Sequence, residues 1–379
     1  MMKKTFGASF LAVVLAAGPA MAQEAVQIGV SAPLTGPVAH GGEHEMRGIR
    51  LAVEEINAKG GVLGKPIALT VEDNQCNPSV SVTVANKLIE DGVVAIIGAQ
   101  CSSAVLAAMP VVQKAGVPLV SGIATSPSIT EKAGIGGNPW VFRLNPSDRE
   151  LAVADVNYLA SLGSVKRVAI VAESTDYGRG GAEAFAKAAE AKGIEVVSTD
   201  FHPLGAADFT TILTRLGRSG AQAIALYQAP ADRANFVRQK EALGVKAALT
   251  GKLNFAGEAH EKLLADGAFD QAVTAFPYAP EVDTPANKAF VAKLVAKYGE
   301  TSQYESFAGY EEVYVLAAAI ERAGTPDRAA VRAALTKTSY ASMLGGTITF
   351  DDHDQAHNKA VISRVDGSKV TVVDVFSTN

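Results

Sequence analysis

Short apolar runs alternate with longer amphipathic stretches along most of this chain, and the alternation halts once and restarts. Val26–Val30 (VQIGV) reads as a strand. The segment after it, EMRGIRLAVEEINAKGG, sets Met46, Ile49, Val53 and Ile56 on one helical face and ends at Gly60-Gly61. Pro66–Glu72, Val93–Gly98 and Pro118–Ser121 are further strands, with helices over Ser79–Asp91 and Val105–Ala115, the latter broken or kinked near Pro110. The run VVAIIG has no polar residue, which suits a parallel sheet buried on both faces.

The rhythm halts at 134–148 (GIGGNPWVFRLNPSD) and resumes with strands at Arg167–Ala172, Val196–Ser198 and Ala223–Tyr227. The helices between and after them run Gly180–Lys192, Asp208–Gly217 and Ala231–Leu243. Two β-α series with a pause between them give an α/β fold of two domains, each with a parallel sheet. Helices return at Ala286–Tyr298 and Gly309–Ala323. Thr325-Pro326-Asp327 has the makings of another helix start, and Thr347–Phe350 and Lys369–Val375 read as closing strands. At 379 residues the chain is too long for one simple core.

The N-terminus carries Lys3 and Lys4, an apolar run and then Ala20-Met21-Ala22, the layout of a secretory signal peptide (1–22) cleaved after Ala22. The run is too short to span a bilayer comfortably. No cysteine at the cleavage site offers a lipid anchor. The net charge of −5 and the lack of a basic run argue against a nucleic-acid partner.

Ligands of parallel α/β sheets sit beyond the carboxyl ends of the strands. That rule selects Ser102 and Ser103 after VVAIIG, and Ile123, Ala124 and Thr125 after PLVSG. Hydroxyl-bearing turns at helix N-termini suit an anion such as a carboxylate, and they equally suit plain helix capping. Cys76 and Cys101 are the only cysteines. In an oxidising compartment they can pair, or they can stay as two buried thiols; as a metal site they fall short of the usual ligand count. His40-Gly41-Gly42-Glu43-His44 has metal-ligand spacing only if it is helical, and its glycines oppose that. Asp351–Asp354 with His357 reads as a solvated turn. No nucleophile elbow and no phosphate loop is present, so the sequence offers no catalytic set that would make it an enzyme, and no cofactor or metal is expected.

The blocks IGVSAPLTGPVAHGGEHEMRGIRLAVEEINAKGGVLGKPIAL, DNQCNP, IIGAQCSS, PLVSGIATSP, ESTDYGRG, DFTTILTRL and SFAGYEEVYVLAAAIERAG occur in that order. Together they make the whole mature chain resemble the periplasmic solute-binding proteins of branched-chain amino acid (leucine/isoleucine/valine) ABC transporters. The resemblance implies a type I two-lobed fold, each lobe a parallel sheet flanked by helices, with three crossover hinges. Lobe I would be 23–145 plus 278–359, and lobe II 146–277 plus 360–379. It implies a Cys76–Cys101 disulfide, carboxylate-binding hydroxyls at Ser102 and Thr125, an ammonium-binding carbonyl at Ile123 beside Ala124, and a second-lobe aromatic at Tyr177. An aromatic of the first turn falls at Gly41 beside His40, and a second-lobe tyrosine near Ala229, close to Tyr227 and Gln228. The acid that pairs with the ammonium in the family falls near Leu253 or Asn254, where no acid stands; Glu258 follows a few residues on. The implied function is capture of a small carboxylate-bearing solute in the periplasm for an ABC permease and its ATPase subunits at the inner membrane, by a monomer. Branched-chain or other hydrophobic amino acids are the first expectation. An aromatic carboxylate, or a sensory ligand-binding role, is the alternative.

Overall fold

The computed structural model describes residues 24–256 and 258–378, with only the backbone at 258 and 259. The signal-peptide reading of 1–22 and the Glu258 side chain lie outside the described residues.

The first half builds β1 (Val26–Ala32), α1 (Ala39–Ala58), β2 (Ile67–Asp73), α2 (Pro78–Glu90), β3 (Ala95–Gly98), α3 (Ser102–Ala115), β4 (Leu119–Ser121), α4 (Pro127–Lys132) and β5 (Val141–Arg143). Its five strands form one parallel sheet in the order β2-β1-β3-β4-β5. The chain continues through α5 (Asp148–Leu162), β6 (Arg167–Glu173), α6 (Asp176–Ala191), β7 (Glu195–His202), α7 (Thr210–Ser219), β8 (Ala223–Tyr227), α8 (Pro230–Ala242), β9 (Ala248–Gly251), α9 (Glu258–Ala265) and β10 (Val273–Phe276). Here β7-β6-β8-β9 make a second parallel sheet. Both orders reverse direction beside their first strand, and that switch point is where α/β sheets open a crevice for ligands.

Each sheet is covered on both faces, as its apolar strands require. In the first, Ile28, Val30, Ile97 and Phe142 face one core while Ile96, Leu119 and Val141 face another. In the second, Val168 and Ile170 face α5 and α6, while Val171 and Leu226 face the opposite core with Leu213 and Phe236. The remaining helices are α10 (Pro285–Tyr298), α11 (Tyr304–Ala323) and α12 (Arg328–Leu335). The α11 helix packs so closely on α1 that a Cβ at Gly48 would lie 1.9 Å from the Ser306 carbonyl oxygen. The chain closes with β11 (Tyr340–Ala341), β12 (Thr347–Phe350), β13 (Ala356–His357), β14 (Lys359–Asp366) and β15 (Lys369–Ser377). The antiparallel sheet β10-β14-β15 joins the halves: Ala275 and Ile362 enter the second core, and Phe276 and Val361 the first.

Several expectations from sequence change here. Helix α3 runs unbroken through Pro110, which sits on its exposed face. The last helix is capped by Asp327, whose carboxylate accepts the Ala330 N–H at 2.9 Å, and not by Thr325. The glycines at 41 and 42 do not stop α1 from running through them, because close approach demands them: a Cβ at Gly42 would lie 2.0 Å from the Pro33 carbonyl oxygen. Among the described residues, no cluster of His, Cys, Asp and Glu has the makings of a metal site. The pause at 134–148 holds β5 and leads into α5, whose Ser147–Glu150 capping box is a signal the sequence displays plainly.

Cys76 and Cys101 form a disulfide with Cα atoms 5.5 Å apart and a sequence separation of 25. It fixes the N-cap of α3, one residue before Ser102. Reduction should cost roughly 3–4 kcal/mol by the loop-entropy account. Urea unfolding with and without reductant measures this, and coincident curves would refute it.

Candidate functional site

The loops after the carboxyl ends of both parallel sheets meet around a cavity of about 210 Å³. This is at the small end for ligand sites and suits one small solute. From the first sheet come Gln100, Ser102, Ser103 and the Ile123-Ala124-Thr125 turn; from the second come Glu173, Thr175, Tyr177, Gln228, Arg233 and Lys252. Asn254, Phe276, Tyr304 and Glu305 also line it.

The hydroxyl turns are held from behind. Ser102 opens α3, and its Oγ accepts the Ser126 N–H at 3.2 Å, which leaves its own O–H to give. Thr125 donates its hydroxyl proton to Asp148 at 3.0 Å, and the Asp148 N–H returns a bond to the Thr125 carbonyl at 2.9 Å. The Lys252 ammonium crosses from the other sheet, bonds the Thr125 hydroxyl oxygen and lies 3.4 Å from Asp148. It also sits over the Tyr177 ring, 5.0 Å from its centroid. Lys252 is 6% exposed and Asp148 fully buried. Burial pushes the Lys252 pKa down and the Asp148 pKa up, and each opposes the shift of the other by attraction.

Lys252 is aimed by its neighbours. Asp155 on α5 accepts the Thr250 hydroxyl and the Gly251 N–H, both at 2.8 Å, which fastens the end of β9. The Arg233 Nη1 donates to the Lys252 carbonyl at 2.7 Å. Burial raises the Asp155 pKa to about 7 despite those two donors, and its Oδ1 finds no partner among the described residues. A carboxyl that holds its proton more tightly folded than unfolded adds stability below about pH 4, and that stability is lost as pH rises through 7. Asp155→Asn should therefore flatten the fall in unfolding free energy between pH 5 and 8, by roughly 1–3 kcal/mol. Equal slopes for variant and wild type in urea titrations would contradict this.

A family model described as periplasmic binding protein matches residues 25–369. The chain belongs to the periplasmic binding protein family. It is 32% identical over 329 residues to a Leu/Ile/Val-binding protein homolog of Brucella melitensis, spanning 86% of this chain and 87% of that one. Its fold is similar to a branched-chain amino acid transporter substrate-binding protein of Streptococcus pneumoniae in complex with isoleucine. That likeness has a TM-score of 0.83 and 26% identity, covering 94% of this chain and 100% of that one. It is also similar to a Rhodopseudomonas palustris ABC-transporter solute-binding protein in complex with 3,4-dihydroxybenzoic acid, with a TM-score of 0.82. At 24% identity over 93% of this chain and 98% of that one, the second likeness speaks for the fold alone.

Within this periplasmic binding protein, Ser102, Ile123, Ala124, Thr125, Tyr177 and Gln228 all reach the cavity. Three other candidates stand elsewhere. Tyr227 is 2% exposed and lies behind the wall, its ring 6.3 Å from that of Tyr177. Leu253 turns into the apolar core with Phe255 and Phe269. His40 is exposed on α1, its ring against His44. The space an aromatic at position 41 would need is filled by Gln100, whose Nε2 would lie 2.3 Å from a Cβ there.

The charged wall residues Lys252, Arg233, Glu173 and Glu305 were not read from sequence. Lys252 stands one residue before the Leu253–Asn254 pair, so the chain places a base beside the position where the resemblance implies an acid. Glu173 accepts the Thr175 hydroxyl at Oε1 and the Ala229 N–H at Oε2, and burial raises its pKa to about 7. Among the described residues no helix is long and apolar enough to cross a membrane.

Proposed function

We propose that this protein is the extracytoplasmic solute-binding component of an ABC importer, enclosing a small carboxylate-bearing solute between two lobes and delivering it to a membrane permease and its ATPase subunits. The lobes are taken as 23–145 plus 278–359 and 146–277 plus 360–379. The protein acts as a monomer in the periplasm, after removal of residues 1–22. Family membership supports the transport role. The observation that carries the ligand class is the pairing of the Ser102 and Thr125 turns with Lys252 across one cavity. Branched-chain amino acids enter from the relatives, and an aromatic carboxylate is the alternative because no acid stands at Leu253 or Asn254.

Ser102→Ala tests it. A hydrogen bond to a charged group contributes roughly 1.5–3 kcal/mol, so affinity for the bound acid should fall about 10- to 150-fold. Calorimetric titration reads the change, and an unchanged affinity would remove Ser102 from the site.

A further inference from the structure

We propose that the cavity takes a carboxylate that lacks an α-ammonium group, with Ser102 and Lys252 as anchors and Lys252 as the residue that rejects the amine. This rests on the carboxylate reading above and narrows it. Two observations converge on it.

An α-ammonium stands one carbon away from its carboxylate, so an amino acid seated on the Ser102–Thr125 turns must put its charge beside them. That place holds a cation already, since the Lys252 ammonium bonds the Thr125 hydroxyl. Two like charges so close, out of water, are strongly unfavourable. Second, the acids beside those turns are committed. Asp148 already faces Lys252 and Thr125, and both Glu173 oxygens are bonded within the protein. Glu305 on α11 also lines the cavity, and its buried Oε2 has no partner among the described residues, so it is the acid an amine would have to reach away from the turns. The Thr125 proton is committed to Asp148, which leaves the Ser102 hydroxyl and the Lys252 ammonium, with Ser103 and Arg233 also on the wall, to donate to an incoming anion.

The test compares two solutes with one carbon skeleton, L-leucine and 4-methyl-2-oxopentanoate, with benzoate as a third. Each is titrated calorimetrically into the purified exported protein. The expected result is binding of the oxo acid or benzoate, with leucine at least about 100-fold weaker. Leucine binding as tightly as either acid, and weakening in Glu305→Gln, would overturn the proposal and leave the carboxylate reading standing. Binding of none of the three would overturn both. In Lys252→Gln, checked by its melting curve, the preference for the oxo acid over leucine should shrink at least tenfold; an unchanged ratio would also overturn it.

Discussion

Arg143→Met should lower the free energy of unfolding by about 3–5 kcal/mol, the largest loss of stability expected from a single change near the site. Arg143 is 1% exposed at the end of β5. Its Nε donates to Gln355 Oε1 at 2.5 Å, its Nη1 to the Ser126 carbonyl at 2.7 Å, and its Nη2 to the Thr130 hydroxyl. Gln355 donates in turn to the Asn145 carbonyl at 2.8 Å. One guanidinium thus ties α4, the end of β5 and the segment before β13, directly beneath the residue whose N–H holds Ser102. Burial draws its pKa down to about 10, so it remains charged at neutral pH. Methionine keeps much of the volume but removes all three donated bonds, leaving the Ser126 carbonyl to the Ile129 N–H and Gln355 Oε1 to the Thr130 hydroxyl, and each lost bond to a charged donor costs about 1.5–3 kcal/mol. Urea denaturation checks this, and a loss under about 1 kcal/mol would contradict the bracing role.

Lys252→Met should weaken carboxylate binding by at least about 30-fold, because removing one side of a buried charge-assisted contact costs about 2–5 kcal/mol. The same change strips Asp148 of its partner and so lowers stability. A double variant with Asp148→Asn separates the two effects. It should regain part of the stability, since no unpaired buried charge remains, without regaining affinity. If the double variant binds as well as wild type, Lys252 is a brace and not an anchor.

The layout of the fold was legible because fully apolar strands and amphipathic helices have different periods, and those periods survive in VVAIIG and RLAVEEINA. The hydroxyl turns were legible because the carboxyl-end rule depends only on knowing where strands stop. Contacts between residues far apart in sequence were harder to see. The glycines at 41 and 42 look like helix breakers until the Pro33 carbonyl and the Gln100 side chain are placed against them. Tyr227, at the end of β8, and Leu253, just past the end of β9, sit beside wall residues in sequence, yet each turns into a core, and a shift of one residue decides which neighbour faces the solute. Lys252 drew no attention because its partners, Thr125 and Asp148, are more than a hundred residues away. No local pattern marks a lysine as the occupant of an ammonium's place.

A crystal structure of the protein grown with benzoate tests the central claim most directly. The account predicts one benzoate in the cavity, its carboxylate oxygens about 3 Å from Ser102 Oγ and Lys252 Nζ and its ring toward Tyr177 and Phe276. A carboxylate bound instead by Arg233, or a cavity left empty with the protein saturated in solution, would contradict it.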